Sequence, residues 1–274
     1  MNYRHAFHAG NFADLVKHAT LTLLLEAMTA DPAPLSIIDT HAGAGLYDLG
    51  DDMAKKSGEA AVGIARLIAA ADAPAAFDAL KAAVAEANPE GGLRLYPGSP
   101  ALIGRVLRKA DRYIACEIRD DDVALLRRTL APYPGAQALQ ADGFATAVER
   151  TPPSGRVLVL IDPPFERADD YANIAAAVAA VRARNPAAVV AAWLPLKDLE
   201  TFDAFLRSLE PAGAGALVAE ARLKPLTDPM KMNGCAMVIV GAPPSLEAPL
   251  QAACDWVVAR LGSQGGKARL WRLA

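Results

Sequence analysis

The run Val157-Leu158-Val159-Leu160-Ile161, closed by Asp162-Pro163-Pro164-Phe165, narrows the folds open to this 274-residue chain more than any other stretch. An unbroken apolar run of that length reads as a strand buried on both faces, the pattern of a parallel sheet covered by helices. Two prolines then stop further ladder bonding. A carboxylate and bare carbonyls are left at the carboxyl end of a strand, which in an open α/β sheet is the edge where ligands bind.

A second apolar run, Leu35-Ser36-Ile37-Ile38-Asp39, leads into Thr40-His41-Ala42-Gly43-Ala44-Gly45. Such a glycine turn lets a ligand approach the backbone closely. The third convincing strand, Arg112 to Cys116, ends at Glu117. A βαβ crossover needs about 30 residues in all, yet 71 residues separate Gly45 from Glu117, so an insert is implied. Two alanine-rich helices, Glu59 to Ala70 and Ala75 to Ala87, are expected to fill it. Ser99 with Pro100 then reads as a helix cap followed by a first-turn proline.

Beyond Glu117 the pattern alternates. Helices are expected at Asp120 to Leu130, Phe144 to Arg150, Asp170 to Arg184 and, capped by Asp198, to Leu209. Strands are expected at Ala136 to Ala141, Val157 to Ile161, Ala187 to Leu194, Ala216 to Leu223 and Cys235 to Val240. This is an α/β chain with a mainly parallel sheet. At the amino end, Asn11 is placed to cap a helix reaching about Met28, with Phe12, Leu15, Val16, Ala19 and Leu23 as its buried stripe. Asp14, Lys17 and His18 share another face, and spacing alone favours a solvated polar surface for them.

Composition excludes several classes. No apolar stretch approaches the ~20 residues of a membrane span, and Met1-Asn2-Tyr3-Arg4-His5 is no signal peptide, so a cytoplasmic protein is expected. Cys116, Cys235 and Cys254 form no C-x-x-C pair and read as small buried side chains. All four histidines, His5, His8, His18 and His41, precede residue 42 without paired metal spacing, so no metal is expected. His41 is placed to line a cofactor cleft, while His5 and His8 read equally well as loop residues. The net charge of −3 does not announce a nucleic-acid binder. Two local basic runs, Arg105-Arg108-Lys109-Arg112 and Arg260-Lys267-Arg269-Arg272, would suit phosphates or a solvated face.

The strand-D-P-P-aromatic arrangement points to methyl transfer onto an exocyclic amine. The lone pair of such a nitrogen is delocalised into its ring. Two acceptors taking its N–H hydrogens favour a pyramidal geometry that aims the lone pair at a methyl donor. Asp162 offers one oxygen and the Pro163 carbonyl another, while Phe165 supplies a flat face for an extruded base. Glu117 is placed for ribose hydroxyls, Asp142 for the adenine side of S-adenosylmethionine, and Gly143 leaves room beside it. For the acids, helix capping is an equal alternative.

With those residues in view, the chain resembles the RlmJ family of 23S ribosomal RNA adenine-N6 methyltransferases. The resemblance is carried by Tyr3-Arg4-His5-Ala6-Phe7-His8-Ala9-Gly10-Asn11, Ala13-Asp14, Lys17-His18, Asp39 to Gly45, Tyr96-Pro97-Gly98-Ser99-Pro100, Asp142-Gly143 and Ile161 to Pro164. D-P-P-aromatic is common to many amino methyltransferases, whereas the amino-terminal block with Tyr96 to Pro100 is specific to this family. The resemblance implies a class I S-adenosylmethionine-dependent fold. Residues 1–50 would hold the amino-terminal motif, first strand and glycine turn, 51–94 a helical insert, and 95–274 the remainder. It implies cofactor contacts at His18, His41, Gly43, Ser99, Glu117, Asp142 and Gly143, and Asp162 as the catalytic acceptor. Tyr3 and Lys17 match positions linked to the RNA substrate. A monomer acting on 23S ribosomal RNA is expected. Phe165 stands where a tyrosine is common, which keeps a stacking face and removes a hydroxyl.

Three other readings share parts of this pattern. Adenine-N6 methylation of DNA uses the same base edge, and a non-catalytic RNA-binding relic would keep the fold. A nicotinamide dehydrogenase would need a third glycine where Asp48 stands.

Overall fold

The computed structural model describes residues 4–210, 212–227 and 231–274; Tyr3 lies outside them. In chain order the strands are β1 (Leu35–Asp39), β2 (Leu46–Asp48), β3 (Leu95–Pro97), β4 (Arg112–Glu117), β5 (Ala136–Gln140), β6 (Arg156–Ile161), β7 (Val189–Leu196), β8 (Leu217–Arg222), β9 (Gly234–Val240) and β10 (Lys267–Arg272). The helices are α1 (Phe12–Thr29), α2 (Asp52–Ser57), α3 (Glu59–Val62), α4 (Ile64–Ala69), α5 (Asp78–Ala87), α6 (Ser99–Val106), α7 (Asp120–Leu130), α8 (Gly143–Arg150), α9 (Asp170–Arg184), α10 (Leu199–Ser208) and α11 (Glu247–Leu261).

Eight strands form one sheet in the order β10-β8-β9-β7-β6-β1-β4-β5. β5, β4, β1, β6 and β7 run parallel, and β9, β8 and β10 add antiparallel. This is the mainly parallel sheet that the alternation of apolar runs predicts, and the class I methyltransferase arrangement that the resemblance implies. β1 and β6 sit side by side, with Asp39 paired to Leu160, so the glycine turn and the D-P-P-F segment leave the sheet next to each other. The order reverses between β1 and β6, the switch point at which α/β sheets open a ligand crevice.

Each parallel strand is buried because helices cover both faces. Leu158 and Leu160 face the core under α1 and α11, while Val157, Val159 and Ile161 face α8, α9 and α10. The alternate residues of one strand thus feed two cores. Cys116, Cys235 and Cys254 are buried free thiols within this packing.

Several elements differ from the sequence reading. The insert holds four helices and a 3-10 turn at Ala75–Phe77 rather than two helices, because Gly58, at φ 65°, and Gly63 break its first half. Gly63 is required there by close approach: a Cβ would lie 2.1 Å from the Gly10 carbonyl oxygen, which accepts a 2.8 Å hydrogen bond from the Ile64 amide. β2 and β3 close the insert as a separate two-stranded sheet, too short to read by periodicity. β7 continues through Pro195 to Leu196; pairing with β6 stops at Ala192, and a proline is tolerated where one side of the strand is unbonded. α11 and β10 were not expected.

The three arginines of the first basic run are engaged internally, while Lys109 is exposed. Arg105 forks onto Glu86 at 2.6 and 2.7 Å, Arg108 onto Asp111 at 2.9 Å, and Arg112 bonds the Asp111 carbonyl. In the second, Arg260 pairs with Asp72 and Arg272 with Glu247 at 2.8 Å.

Candidate active site

The amino-terminal helix corrects the expectation of a solvated polar face. Asp14, Lys17 and His18 are only 2%, 6% and 1% exposed. α1 is buried on nearly all sides, since the sheet, the insert and α11 surround it, and its polar face closes the floor of the crevice instead of meeting water. Its start is fixed as expected: the Asn11 side chain accepts from the Asp14 amide at 2.9 Å, a cap worth about 1 kcal/mol.

From that face Lys17 Nζ donates to Asp162 Oδ2 at 2.6 Å and pairs with Asp14 Oδ1 at 2.9 Å. His5 Nε2 lies 3.1 Å from Asp14 Oδ2, which also accepts from the Gly10 amide at 2.8 Å. Burial works against the Asp14 carboxylate, yet the electrostatic pull of His5 and Lys17, with the His5 hydrogen bond, outweighs it and holds Asp14 well below the usual carboxylate range. An ionised Asp14 in turn anchors Lys17 against Asp162. Breaking such a buried array by removing one partner costs several kcal/mol, on the order of 3–5.

Two clefts meet at this array. The first is walled by His18, the glycine turn His41 to Ala44, Tyr47, Ser99, Glu117, Asp142, Gly143 and Phe144. The second is walled by His8, Asn11, Pro163, Phe165, Trp193, Pro195, Lys197 and Met232. His5, Lys17, Asp162 and Pro164 line both. Asp162 therefore stands at an aperture, with His5 beside it; His5 carries a place in the site that sequence reading left open.

The first cleft suits a nucleoside-bearing amino acid. Gly43, at φ 62°, could not carry a side chain, since a Cβ would come 2.3 Å from the Tyr47 hydroxyl. The Glu117 carboxylate, at the end of β4, accepts from the Gly43, Ile118 and Arg119 amides at 3.1, 2.7 and 2.9 Å. Those bonds fix it beside the turn with lone pairs remaining for hydroxyl donors. Asp142 caps α8 through one oxygen, accepting from the Ala145 amide at 2.9 Å, so capping and a place in the cleft coexist. The absent side chain of Gly143 serves backbone packing, because a Cβ would strike the Thr40 carbonyl.

Ser99 is not the cap expected of it. α6 begins at Ser99 with Gly98 before it, and the Ser99 hydroxyl donates to Asp39 Oδ2 at 2.7 Å. Tyr113 donates to the same oxygen at 3.2 Å. Burial pushes the Asp39 carboxyl up to about 6, against the pull of those two hydroxyls. His18 Nδ1 lies 2.7 Å from the Tyr96 hydroxyl, and burial lowers this imidazole to about 3. His41, 2.7 Å from the Thr40 hydroxyl and edge-on to Phe144, is lowered to about 4, again by burial. Both rings are neutral at physiological pH. Asp39 and Thr40 belong to the Asp39 to Gly45 block that carries the resemblance, whereas Tyr113, inside β4, carries no motif signal of its own.

In the second cleft Phe165 holds φ at 51°, a left-handed conformation rare for an aromatic residue and costing roughly 1–2 kcal/mol. Its ring lies 5.0 Å from Tyr171 and 5.7 Å from Trp193, centroid to centroid. Strain of this kind at a cleft wall marks a functional constraint.

The model of the family described as "Ribosomal RNA large subunit methyltransferase D, RlmJ" matches residues 32–273. The chain is 34% identical to "Ribosomal RNA large subunit methyltransferase J" of Escherichia coli over 267 residues, covering 97% of this chain and 95% of that protein. It is 31% identical to the protein of the same name from Haemophilus influenzae, with the same coverage of each. A crystal structure of a Legionella pneumophila protein superposes with a TM-score of 0.90 at 27% identity, covering 97% of this chain and 98% of that one.

Proposed function

Because this chain belongs to the RlmJ family of ribosomal RNA large subunit methyltransferases, we propose that it methylates the N6 amine of one adenine in 23S ribosomal RNA, with the base drawn into the cleft beside Phe165. The observation that carries this reading is the position of Asp162 at the junction of the two clefts, held by Lys17 at 2.6 Å. S-adenosylmethionine supplies an electrophilic sulfonium methyl group when bound in the first cleft.

Glu117 would take the ribose hydroxyls, Asp142 the adenine side, and Ser99, His18 and His41 the amino-acid end and walls. On the other side, Asp162 accepts one N–H of the target amine and the Pro163 carbonyl accepts the second. The amine nitrogen is thereby rotated so that its lone pair, not its hydrogens, faces the first cleft. Lys17 holds the Asp162 carboxylate in direction, and its other partner Asp14 prevents it from competing as a free cation. After transfer the nitrogen carries one proton too many, and Asp162 is the adjacent group able to receive it. Phe165 and Trp193 offer apolar faces to the extruded base, at a stacking gain of about 1–3 kcal/mol. Lys17 lines the second cleft, beside the RNA, and the resemblance alone assigns Tyr3 a role there.

Mass mapping of methylated adenosines in 23S RNA from cells with and without the protein tests this reading. One N6-methyl mark should vanish in the absence of the protein. An unchanged map, or methyl incorporation into duplex DNA in preference to the RNA, would exclude it.

A further inference from the structure

Across the antiparallel half of the sheet, one row of paired residues runs Leu196, Gly234, Arg222, Lys267, all at the edge onto which the clefts open. With strands about 4.8 Å apart, the row extends roughly 14 Å away from the second cleft. Lys197 follows Leu196 directly and lines that cleft. Lys224 stands two residues beyond Arg222, where the Leu223 amide bonds the Asn233 carbonyl and the Asn233 amide bonds that of Leu196. Lys267 ends the row on the edge strand.

These three lysines are exposed, and none meets a carboxylate among the described residues. Of the acids nearby, Asp203 is exposed and acts on Arg222, while two others are engaged. Asp198 caps α10, accepting from the Thr201 amide at 2.7 Å and its hydroxyl at 3.0 Å, and Glu220 is buried against Arg222. Arg269, two residues past Lys267, lies over the Trp271 ring at 4.9 Å. On the opposite half of the same edge stand Glu117, Asp120, Asp121, Asp122 and Asp142, five carboxylates against the two arginines, Arg4 and Arg119, that pair with Asp121 and Asp122. A nucleic-acid strand leaving the second cleft along the row meets lysines that no carboxylate among the described residues holds.

We propose that the row Lys197, Lys224 and Lys267 is the track for the RNA phosphodiester backbone flanking the target adenosine. The inference rests on the reading of the chain as an RNA methyltransferase and adds the surface that presents the substrate. Phosphate contacts position a nucleic acid without reading its sequence, so the track sets affinity and register while the second cleft selects the base.

The test is the salt dependence of binding to a full-length 23S RNA transcript, with cofactor affinity as a check of folding. In K197A/K224A/K267A the dissociation constant should rise at least about tenfold near 0.1 M salt, and the slope of log K against log salt should flatten by ~2, at ~0.7 per single-strand phosphate. KM for RNA should rise with it. R127A/R128A/R150A, which removes equal charge from the far ends of α7 and α8, should leave constant and slope as in the unaltered protein. An unchanged slope in the first variant, or an equal loss in the second, would overturn the track. The methylation reading is judged separately, because a protein that binds the transcript with the expected slope change yet transfers no methyl group overturns the function and leaves the track standing.

Discussion

Over β4 and β5 the active edge carries five acids, Glu117, Asp120, Asp121, Asp122 and Asp142, against the two arginines, Arg4 and Arg119, paired with them; over β7, β8 and β10 it carries Lys197, Lys224 and Lys267. Both halves belong to one sheet, and Asp162 with Lys17 marks the seam between them. The contrast teaches that a net charge of −3 conceals a sorted surface. On the proposed reading the cationic, hydroxyl-rich cofactor lies beside the carboxylates and the polyanion beside the lysines, with Asp162 between them. Net charge describes solubility and long-range steering, whereas the distribution of charge along an edge decides which ligand lies on which side.

The seam is the most sensitive place to break this contrast. Asp162→Ala should reduce methylation by about 10³-fold or more while both ligands still bind, since a preorganised acceptor is lost and neither half is altered; isothermal titration alongside single-turnover kinetics reads both. Lys17→Met should cost roughly 3 kcal/mol of stability in urea unfolding, because Asp14 and Asp162 are left facing each other without a cation. Adding Asp14→Asn should restore part of that loss. A Lys17→Met protein as stable as the parent would show that the array adds nothing to the fold.

On the acidic half, Glu117→Gln should weaken cofactor binding by about tenfold, as a charged acceptor for hydroxyls is lost, without weakening RNA binding. Equal weakening of both ligands would dissolve the division between the halves. A further effect, read in stability and not in affinity, is set by pH. His18 and His41 have folded values of about 3 and about 4, below the ordinary 6.5, so the unfolded chain binds their protons first. Their stabilisation is complete above pH 6.5 and is lost as the pH falls towards 4, by at most ~1.4 kcal/mol per pH unit for each ring. Asp39, raised to about 6, acts in the opposite sense between about 4 and 6, because there only the folded form keeps its proton. The two histidines outweigh the one acid. The melting temperature should therefore decline from pH 7 to 5, and the decline should shrink in His41→Gln.

The sheet was legible because burial on both faces writes itself into composition: β1, β4, β6, α7 and α9 lie within a residue of where the apolar runs and caps place them. The short elements of the insert were not, since three-residue strands and four-residue helices carry no period. Asp162, Glu117 and Asp142 could be placed at strand ends from sequence alone. Lys17 and Asp14 could not, because a polar stripe on a helix looks the same whether it faces water or a crevice, and only tertiary packing decides. The tail lysine fell in a run that suited either phosphates or solvent; the ion pairs of Arg260 and Arg272 separate it from its neighbours.

The hydrogen bond from Ile64 to the Gly10 carbonyl, with Gly63 passing where no methyl group fits, ties the insert to the very start of α1. For anyone building chimeras this is a rule of inheritance: the insert and the first ten or so residues must be transplanted together. A hybrid taking one without the other would seat its lysine on a helix whose first turn has lost its splint.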